Sequence, residues 1–383
     1  MSAQRAFILV AAIALSGCRQ EYTWGSIEPT PPIENDHGQW LSADAAPGGS
    51  IGFAFYDRTR TALGFAIARP MGDALSWTTE QVDGYPDNQG LDPGIRGEFC
   101  SMKITPAGQV WISYYDRNNG ALRVSHRPSG SGWGEPELVD PGSGMVPNTG
   151  MFTSLALDEA SNPVIAYHDE NKGTLQVAHH DGTAWTVETA HTGEAFSGVD
   201  EAGEPLELEA DVGEFANLYI DGNTEYIAFY DRAHGDLHLL EGFAGSYTHT
   251  VVSTEGDVGQ WPNIWTDGST LLIAAHDVGN QDLVLFTRTG GGSFTKQIVD
   301  SGEYRGADSD VFMKDGQAAV VYFDGHENNM MLATTDGSAW TLETLAGDDG
   351  ALGFFNESVM VNDAIWVASY DYTNRQIWAK QLE

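Results

Sequence analysis

The segment Val110-Trp-Ile-Ser-Tyr-Tyr-Asp116-Arg-Asn-Asn-Gly-Ala-Leu-Arg-Val-Ser125 contains two apolar runs separated by a polar, glycine-containing turn. This pattern predicts two antiparallel strands joined by a hairpin. The phrase that ends the first run occurs in seven copies, as Phe55-Tyr56-Asp57, Tyr114-Tyr115-Asp116, Tyr167-His168-Asp169, Phe229-Tyr230-Asp231, Ala275-His276-Asp277, Tyr322-Phe323-Asp324 and Ser369-Tyr370-Asp371.

A second motif, Gly-x-aromatic, precedes each copy of the first. It reads Gly38-Gln39-Trp40, Gly97-Glu98-Phe99, Gly150-Met151-Phe152, Gly213-Glu214-Phe215, Gly259-Gln260-Trp261, Gly302-Glu303-Tyr304 and Gly353-Phe354-Phe355. Each unit therefore has four short strands and no helical periodicity. Seven such units of about 50 residues predict an all-β, seven-bladed β-propeller with four antiparallel strands per blade.

The last unit ends after its third strand, at residues 376–380. We interpret the N-terminal stretch 22–28, which contains Trp24, as the strand that closes the last blade. Such closure would remove the exposed edge of the ring. The alternative is that this stretch is only a tether.

The turns Asp181-Gly-Thr-Ala-Trp185 and Asp336-Gly-Ser-Ala-Trp340 resemble the Asp-box of sialidase-type propellers. The whole repeat is similar to bacterial propellers that carry a Tyr-Tyr-Asp phrase in each blade and, more distantly, to propeller lectins. The resemblance implies a propeller fold. Because propellers have many different activities, the fold alone does not define the function, which depends on the residues of the site.

The charge of the chain is strongly negative, with 55 acidic and 18 basic residues and a formal net charge of −37. Nucleic-acid binding requires a basic face, so the composition excludes it. Attraction to an anionic lipid surface is excluded for the same reason. The 11 tryptophans, 14 tyrosines and 16 phenylalanines can build a large core, which excludes disorder.

The N-terminal pattern is typical of a targeting segment: Arg5 is followed by an apolar run and then by Leu15-Ser16-Gly17-Cys18. These four residues resemble the bacterial lipobox. The resemblance implies a lipoprotein signal peptide over 1–17, a lipid on Cys18, and one propeller domain over 18–383. Arg19 favours the outer membrane. We therefore expect the bacterial cell envelope. The alternative is an ordinary signal peptide that happens to contain a cysteine.

The innermost strands provide the candidate binding residues, because these strands line the central channel. We call the aspartate that ends each copy of the first motif the repeat aspartate. A small polar residue lies 13 to 15 residues before the repeat aspartate in every blade. We expect these residues to form a water-, ion- or sugar-binding ring at the channel mouth, on the face of the Gly-x-aromatic loops, together with Arg96, Arg305 and Glu357. The ring comprises Ser42, Ser101, Ser154, Asn217, Asn263, Asp310 and Ser358. Alternatively, these side chains satisfy backbone groups.

The other polar motifs favour structural roles. The seven repeat aspartates are expected to accept N–H groups in their turns, and Cys100 to be a buried thiol without a disulfide partner. Adjacent histidines such as His179 and His180 point to opposite faces of a strand, so zinc is not expected. No cofactor is predicted. Ca²⁺ is a side hypothesis, with Asp308 and Asp310 as the nearest ligand candidates.

The sequence thus predicts a lipid-anchored, monomeric and non-catalytic propeller. It would bind a glycan, peptide or protein partner through its loop-bearing face and touch the membrane only through the anchor. The alternative is a sialidase-like or other polysaccharide-acting enzyme with its site at the channel mouth. A complete arginine triad with nucleophile and acid cannot be assigned from the sequence.

The lipid anchor is tested by labelling bacteria that express the full chain with radioactive palmitate. We expect label on the wild type and none on Cys18→Ser, because the thiol is the acceptor. Cys100→Ser, which changes the one other cysteine, is the matched control and should keep its label. Equal labelling of wild type and Cys18→Ser would contradict the prediction.

Overall fold

The computed structural model describes residues 36–71, 74–86, 93–199, 204–347 and 350–382. It contains seven successive antiparallel sheets arranged as a β-propeller, which confirms the predicted fold. The predicted signal peptide 1–17, Cys18 and the closing strand 22–28 lie outside the described residues. No helix long and apolar enough to cross a membrane occurs within the described ranges.

Each blade follows the chain order from its innermost strand outward. The strands of blades one to three are β1 (His37–Ala46), β2 (Ser50–Asp57), β3 (Ala62–Met71), β4 (Ala74–Asp83), β5 (Arg96–Ile104), β6 (Val110–Asp116), β7 (Ala121–Arg127), β8 (Glu137–Asp140), β9 (Thr149–Leu157), β10 (Pro163–Asp169), β11 (Thr174–His180) and β12 (Trp185–His191). A separate hairpin in the next link is formed by β13 (Phe196–Val199) and β14 (Pro205–Leu208).

Blades four to seven have the same order, and the described part of blade seven has three strands. Their strands are β15 (Val212–Asp221), β16 (Thr224–Asp231), β17 (Asp236–Phe243), β18 (Ser246–Ser253), β19 (Val258–Thr266), β20 (Thr270–Asp277), β21 (Asp282–Thr289), β22 (Thr295–Asp300), β23 (Arg305–Lys314), β24 (Gln317–Asp324), β25 (Asn329–Thr335), β26 (Trp340–Ala346), β27 (Leu352–Val361), β28 (Ala364–Asp371) and β29 (Gln376–Gln381).

The two faces of the disc differ in what they carry. Each first strand begins at the face that holds the links from one blade to the next, which we call the loop-bearing face. It ends at the turn to the second strand, on what we call the hairpin face. Second strands such as β2 and β6 are buried at every position, whereas outer strands such as β4 and β26 are largely exposed. The core therefore lies between neighbouring blades.

A glycine near the start of each first strand allows this strand to lie against the preceding blade. A Cβ atom on Gly150 would come 2.7 Å from the Leu122 Cα atom, which is closer than atoms of this kind approach one another. In blade six the equivalent residue is Gly306, whose Cβ would lie 2.7 Å from the Leu283 Cα atom. The assignment of Gly302-Glu303-Tyr304 to this motif is therefore wrong, and the blade-six motif is Gly306-Ala307-Asp308.

The ring closes between blades seven and one. The His37 backbone N–H donates to the Arg375 carbonyl at 3.1 Å, and the Tyr370 hydroxyl donates to Asp36 Oδ1 at 2.5 Å. Behind these bonds, Phe53 of blade one and Trp366 of blade seven belong to one buried apolar cluster. Closure within the described residues thus rests on both hydrogen bonds and core packing.

Gly150→Ala tests the close packing between blades. We expect it to lower the free energy of unfolding by about 1–3 kcal/mol more than Gly144→Ala does, because the added methyl group overpacks the border with β7. The two glycines have similar φ angles of 97° and 91°, and a Cβ on Gly144 meets no atom within 4 Å. Chemical denaturation of both variants gives the comparison, and equal losses would show that blade packing is not the cause.

Candidate functional site

Seven side chains form a ring around the channel axis near the loop-bearing face, which we call the aromatic ring. The backbone at its seven positions has φ angles between 48° and 55°, in the left-handed region. The side chains of neighbouring members are in contact, with centroids 4.0 Å apart for Trp40 and Phe99 and 4.7 Å apart for Phe99 and Phe152. The aromatic ring therefore narrows the central channel near the loop-bearing face. Its members are Trp40, Phe99, Phe152, Phe215, Trp261, Asp308 and Phe355.

The backbone of the aromatic ring is held by donors from the next blade. The Cys100 thiol donates to the Trp40 carbonyl at 2.8 Å, and the Thr153 hydroxyl donates to the Phe99 carbonyl at 2.7 Å. Cys100 is buried, and its burial raises the pKa of the thiol. The expectation of a buried, structural Cys100 is thus confirmed.

The ring that sequence spacing predicted lies one step deeper along the axis, and we call it the polar ring. Each member accepts a backbone N–H from the first strand of the next blade. Ser42 accepts from Met102 at 3.1 Å, and Ser154 accepts from Leu218 at 2.9 Å. The members are Ser42, Ser101, Ser154, Asn217, Asn263, Asp310 and Glu357.

Blade seven requires a correction within the polar ring. Glu357 pairs with Ala368, three residues before the repeat aspartate, and this is the register of every other ring member. Glu357 accordingly accepts the backbone N–H of Ala43. Ser358 is one position further along, where its own backbone N–H donates to Asp310. The register thus puts Glu357, not Ser358, in the ring, although Ser358 still lines the cavity described next.

A cavity of about 470 Å³ continues from the polar ring toward the hairpin face. Two residues beyond the polar ring, the first strands contribute Asp44, Lys103, Tyr219, Trp265 and Phe312 to its wall. No member of the aromatic ring lines it in the described ranges. The polar ring therefore does not lie at a mouth on the loop-bearing face, as the sequence suggested, because the aromatic ring lies between it and that face.

The charges in the cavity wall interact with one another. Burial alone would lower the pKa of Lys103, but Asp44, Glu357 and Asp310 raise it above its usual value, so the ammonium stays charged. Burial raises the pKa of Asp310 to about 6 and raises that of Glu357 strongly, with Asp310 adding to the second shift. The cavity thus offers one cation together with carboxyl groups that can donate as well as accept a hydrogen bond.

Arg96 and Arg305, which sequence reasoning placed at the channel mouth, lie elsewhere. Each starts a first strand and forms an ion pair with the repeat aspartate of its own blade, Arg96 with Asp116 and Arg305 with Asp324. Neither lines the cavity. The expectation failed because these residues, although they start innermost strands, pair across the strand ladder with the turn aspartate, away from the axis.

The repeat aspartates have the structural role that the sequence predicted. Asp116 is fully buried, and its Oδ1 accepts the backbone N–H of Asn119 at 3.0 Å. Asp277 does the same with Asn280. These carboxylates therefore close the turns between second and third strands.

The two candidate calcium ligands occupy successive rings on the axis. Asp308 takes the aromatic position of blade six and accepts the Phe355 backbone N–H, while Asp310 accepts the Ser358 N–H. Both carboxyl groups therefore already bind blade seven. Ca²⁺ binding here stays a prediction.

Sequence reasoning missed Asp44, Lys103, Tyr219, Trp265 and Phe312. A signal existed, because these residues lie two positions beyond the polar ring and alternate residues of a strand share a face. Their types differ from blade to blade, so alignment of the repeats does not single them out.

Comparisons with known proteins show the fold. No protein-family model matches the chain, and no curated protein does. Among solved structures it is similar to polysaccharide lyase Uly1, at 8% identity and a TM-score of 0.54 over 90% of this chain and 89% of that one. It is also similar to the Aleuria aurantia lectin in complex with α-methyl-L-fucoside, at 14% identity and a TM-score of 0.49 over 82% and 97%.

A Hadza microbial sialidase is 12% identical, with a TM-score of 0.48 over 80% of this chain. The chain spans 65% of the length of this sialidase. At these identities the likeness extends to the propeller fold and not to chemistry.

Asp308→Asn tests whether the carboxyl group that takes the aromatic position of blade six is buried. Burial raises the pKa of Asp308 to about 7, so the folded state favours the protonated form. Its contribution to stability is present below the unfolded pKa of 3.8 and is lost as the pH rises through 7. We expect the melting temperature of the variant, relative to wild type, to increase steadily between pH 4 and pH 8.

Differential scanning calorimetry at closely spaced pH values provides the measurement. The acids that line the cavity titrate in both proteins and cancel in the difference. Melting curves of wild type and variant that stay parallel across this pH range would contradict the assignment.

Proposed function

We propose that this protein is a non-catalytic, glycan-binding propeller whose site is the axial cavity. The observation that carries the proposal is the contrast between its two walls. Tyr219, Trp265 and Phe312 come from three successive blades and offer an aromatic surface, while Asp44 and Lys103 come from blades one and two and offer charge. A sugar ring matches both, because its C–H face packs on aromatic rings and its hydroxyls bind polar groups.

The size and hydrogen-bonding capacity of the cavity support the same proposal. Its volume of about 470 Å³ lies within the roughly 300–1,000 Å³ of small-molecule sites. The serine hydroxyls of the polar ring, such as those of Ser42 and Ser101, use one lone pair to accept a backbone N–H. Each retains an O–H donor for a ligand hydroxyl. The proposed ligand is therefore one or two sugar units of a glycan.

The proposed address is the bacterial cell envelope, with the outer membrane favoured. Its support is the apolar run before Cys18 and the lipobox-like residues that end it. A lipid there would hold the propeller at the membrane without any spanning segment. Glycans are abundant in this compartment, so the address and the cavity chemistry agree.

A polysaccharide-acting enzyme is the second candidate, favoured by one feature of the cavity. Asp310 and Glu357 come from adjacent blades, line the same cavity and have raised pKa values. Two carboxyl groups with different pKa values can divide the acid and base roles of glycoside cleavage. A sialidase-like site would in addition need converging arginines, and Arg96 and Arg305 bind turn aspartates instead.

A glycan array probed with the full chain, followed by calorimetric titration of the best binder, tests the proposal. We expect Trp265→Ala to weaken binding at least tenfold, which corresponds to about 1.4 kcal/mol, because the aromatic platform is lost. Trp77→Ala is the matched control, since Trp77 lies on the outer strand of blade one with 39% of its surface exposed. This control should bind like wild type.

Two results would overturn the proposal. One is binding that both tryptophan variants retain, which would place the ligand outside the cavity. The other is turnover of sialosides or uronic polymers that Asp310→Asn abolishes, which would establish the enzyme instead.

A further inference from the structure

We propose that His191, His238 and His249 form a zinc-binding site at the border between blades three and four. The site is separate from the axial cavity and independent of the proposed function. His191 ends the outer strand β12 of blade three, while His238 and His249 lie on β17 and β18 of blade four. One nitrogen atom from each ring can be chosen so that all three lie within 4.8 Å of one another.

The geometry of the three rings suits a metal ion. His238 Nδ1 and His249 Nε2 are already 3.0 Å apart. Zinc–nitrogen bonds of about 2.0–2.1 Å require tetrahedral ligand atoms to be about 3.3–3.4 Å apart. Small side-chain rotations therefore suffice to place all three nitrogens around one ion.

The protonation state of the cluster favours metal over proton. Burial is the main cause that lowers the pKa of His191 to about 4 and that of His238 to about 3, and the neighbouring histidines contribute to both shifts. The pKa of His249 is also lowered by burial. All three rings are therefore neutral near pH 7 and have lone pairs available for a metal.

Acidic groups that can orient the ligating histidine rings lie beside the cluster. When His238 binds through Nδ1, its Nε2–H faces Asp231 Oδ2, which lies 3.9 Å away. A carboxylate behind a ligating histidine orients the ring and raises its basicity. Glu194 acts electrostatically on both His191 and His249. Its exposed carboxylate or a water molecule would fill the fourth position, and the exposed His249 provides the entry path.

Zinc binding would also change the start of the link after blade three. The Gly193 backbone N–H now donates to His191 Nδ1 at 2.9 Å. If His191 binds through Nδ1, the metal replaces this donor. If it binds through Nε2, the neutral ring carries its proton on Nδ1 and can no longer accept from Gly193. In either case the metal joins the two blades and releases this hydrogen bond.

The test uses the purified full chain, stripped with a chelator and titrated with Zn²⁺ in competition with a chromophoric chelator. We expect one tightly bound Zn²⁺ per chain. His249→Ala should weaken Zn²⁺ binding about 100-fold or more, since loss of a group that only hydrogen-bonds a ligating histidine already costs roughly 10–100-fold. His180→Ala is the matched control, because His180 ends the neighbouring strand β11 outside the cluster, and it should bind like wild type.

The melting temperature provides an independent readout. Zn²⁺ should raise it for wild type and His180→Ala but not for His249→Ala, which as an exposed position should itself fold normally. Co²⁺ bound in place of Zn²⁺ should give the strong visible bands of a four-coordinate site. The proposal fails if binding is not stoichiometric, or if His249→Ala and His191→Ala both bind Zn²⁺ as wild type does.

Discussion

The whole propeller depends on a closed circle of side-chain-to-backbone hydrogen bonds around its axis. The first strand of every blade has one edge without a strand partner, and unpaired N–H groups there would cost about 1–3 kcal/mol each when buried. The polar ring supplies the missing acceptors, from Ser42 to blade two around to Glu357, which returns to Ala43 of blade one. The residues nearest the cavity are therefore held in place by the fold itself.

This circle explains which parts of the site were predictable from sequence. A residue that the fold requires in every blade repeats at a fixed distance from the turn aspartate, so six of the seven ring members follow from spacing. In blade seven two polar residues are adjacent, and residue type alone cannot choose between Glu357 and Ser358. Strand pairing decides, because a shift of one residue turns a side chain to the other face of the sheet.

The assignment of the Gly-x-aromatic motif in blade six was wrong for a related reason. Tyr304 follows Gly302 and matches the motif in residue type, but only Gly306 lies where a Cβ would meet the Leu283 backbone. Residues that break the repeat, such as Lys103 and Asp308, give no signal in an alignment of blades. The histidine cluster gives even less signal in the sequence. Its members come from two blades and meet at the border between them, so no regular spacing along the chain connects them.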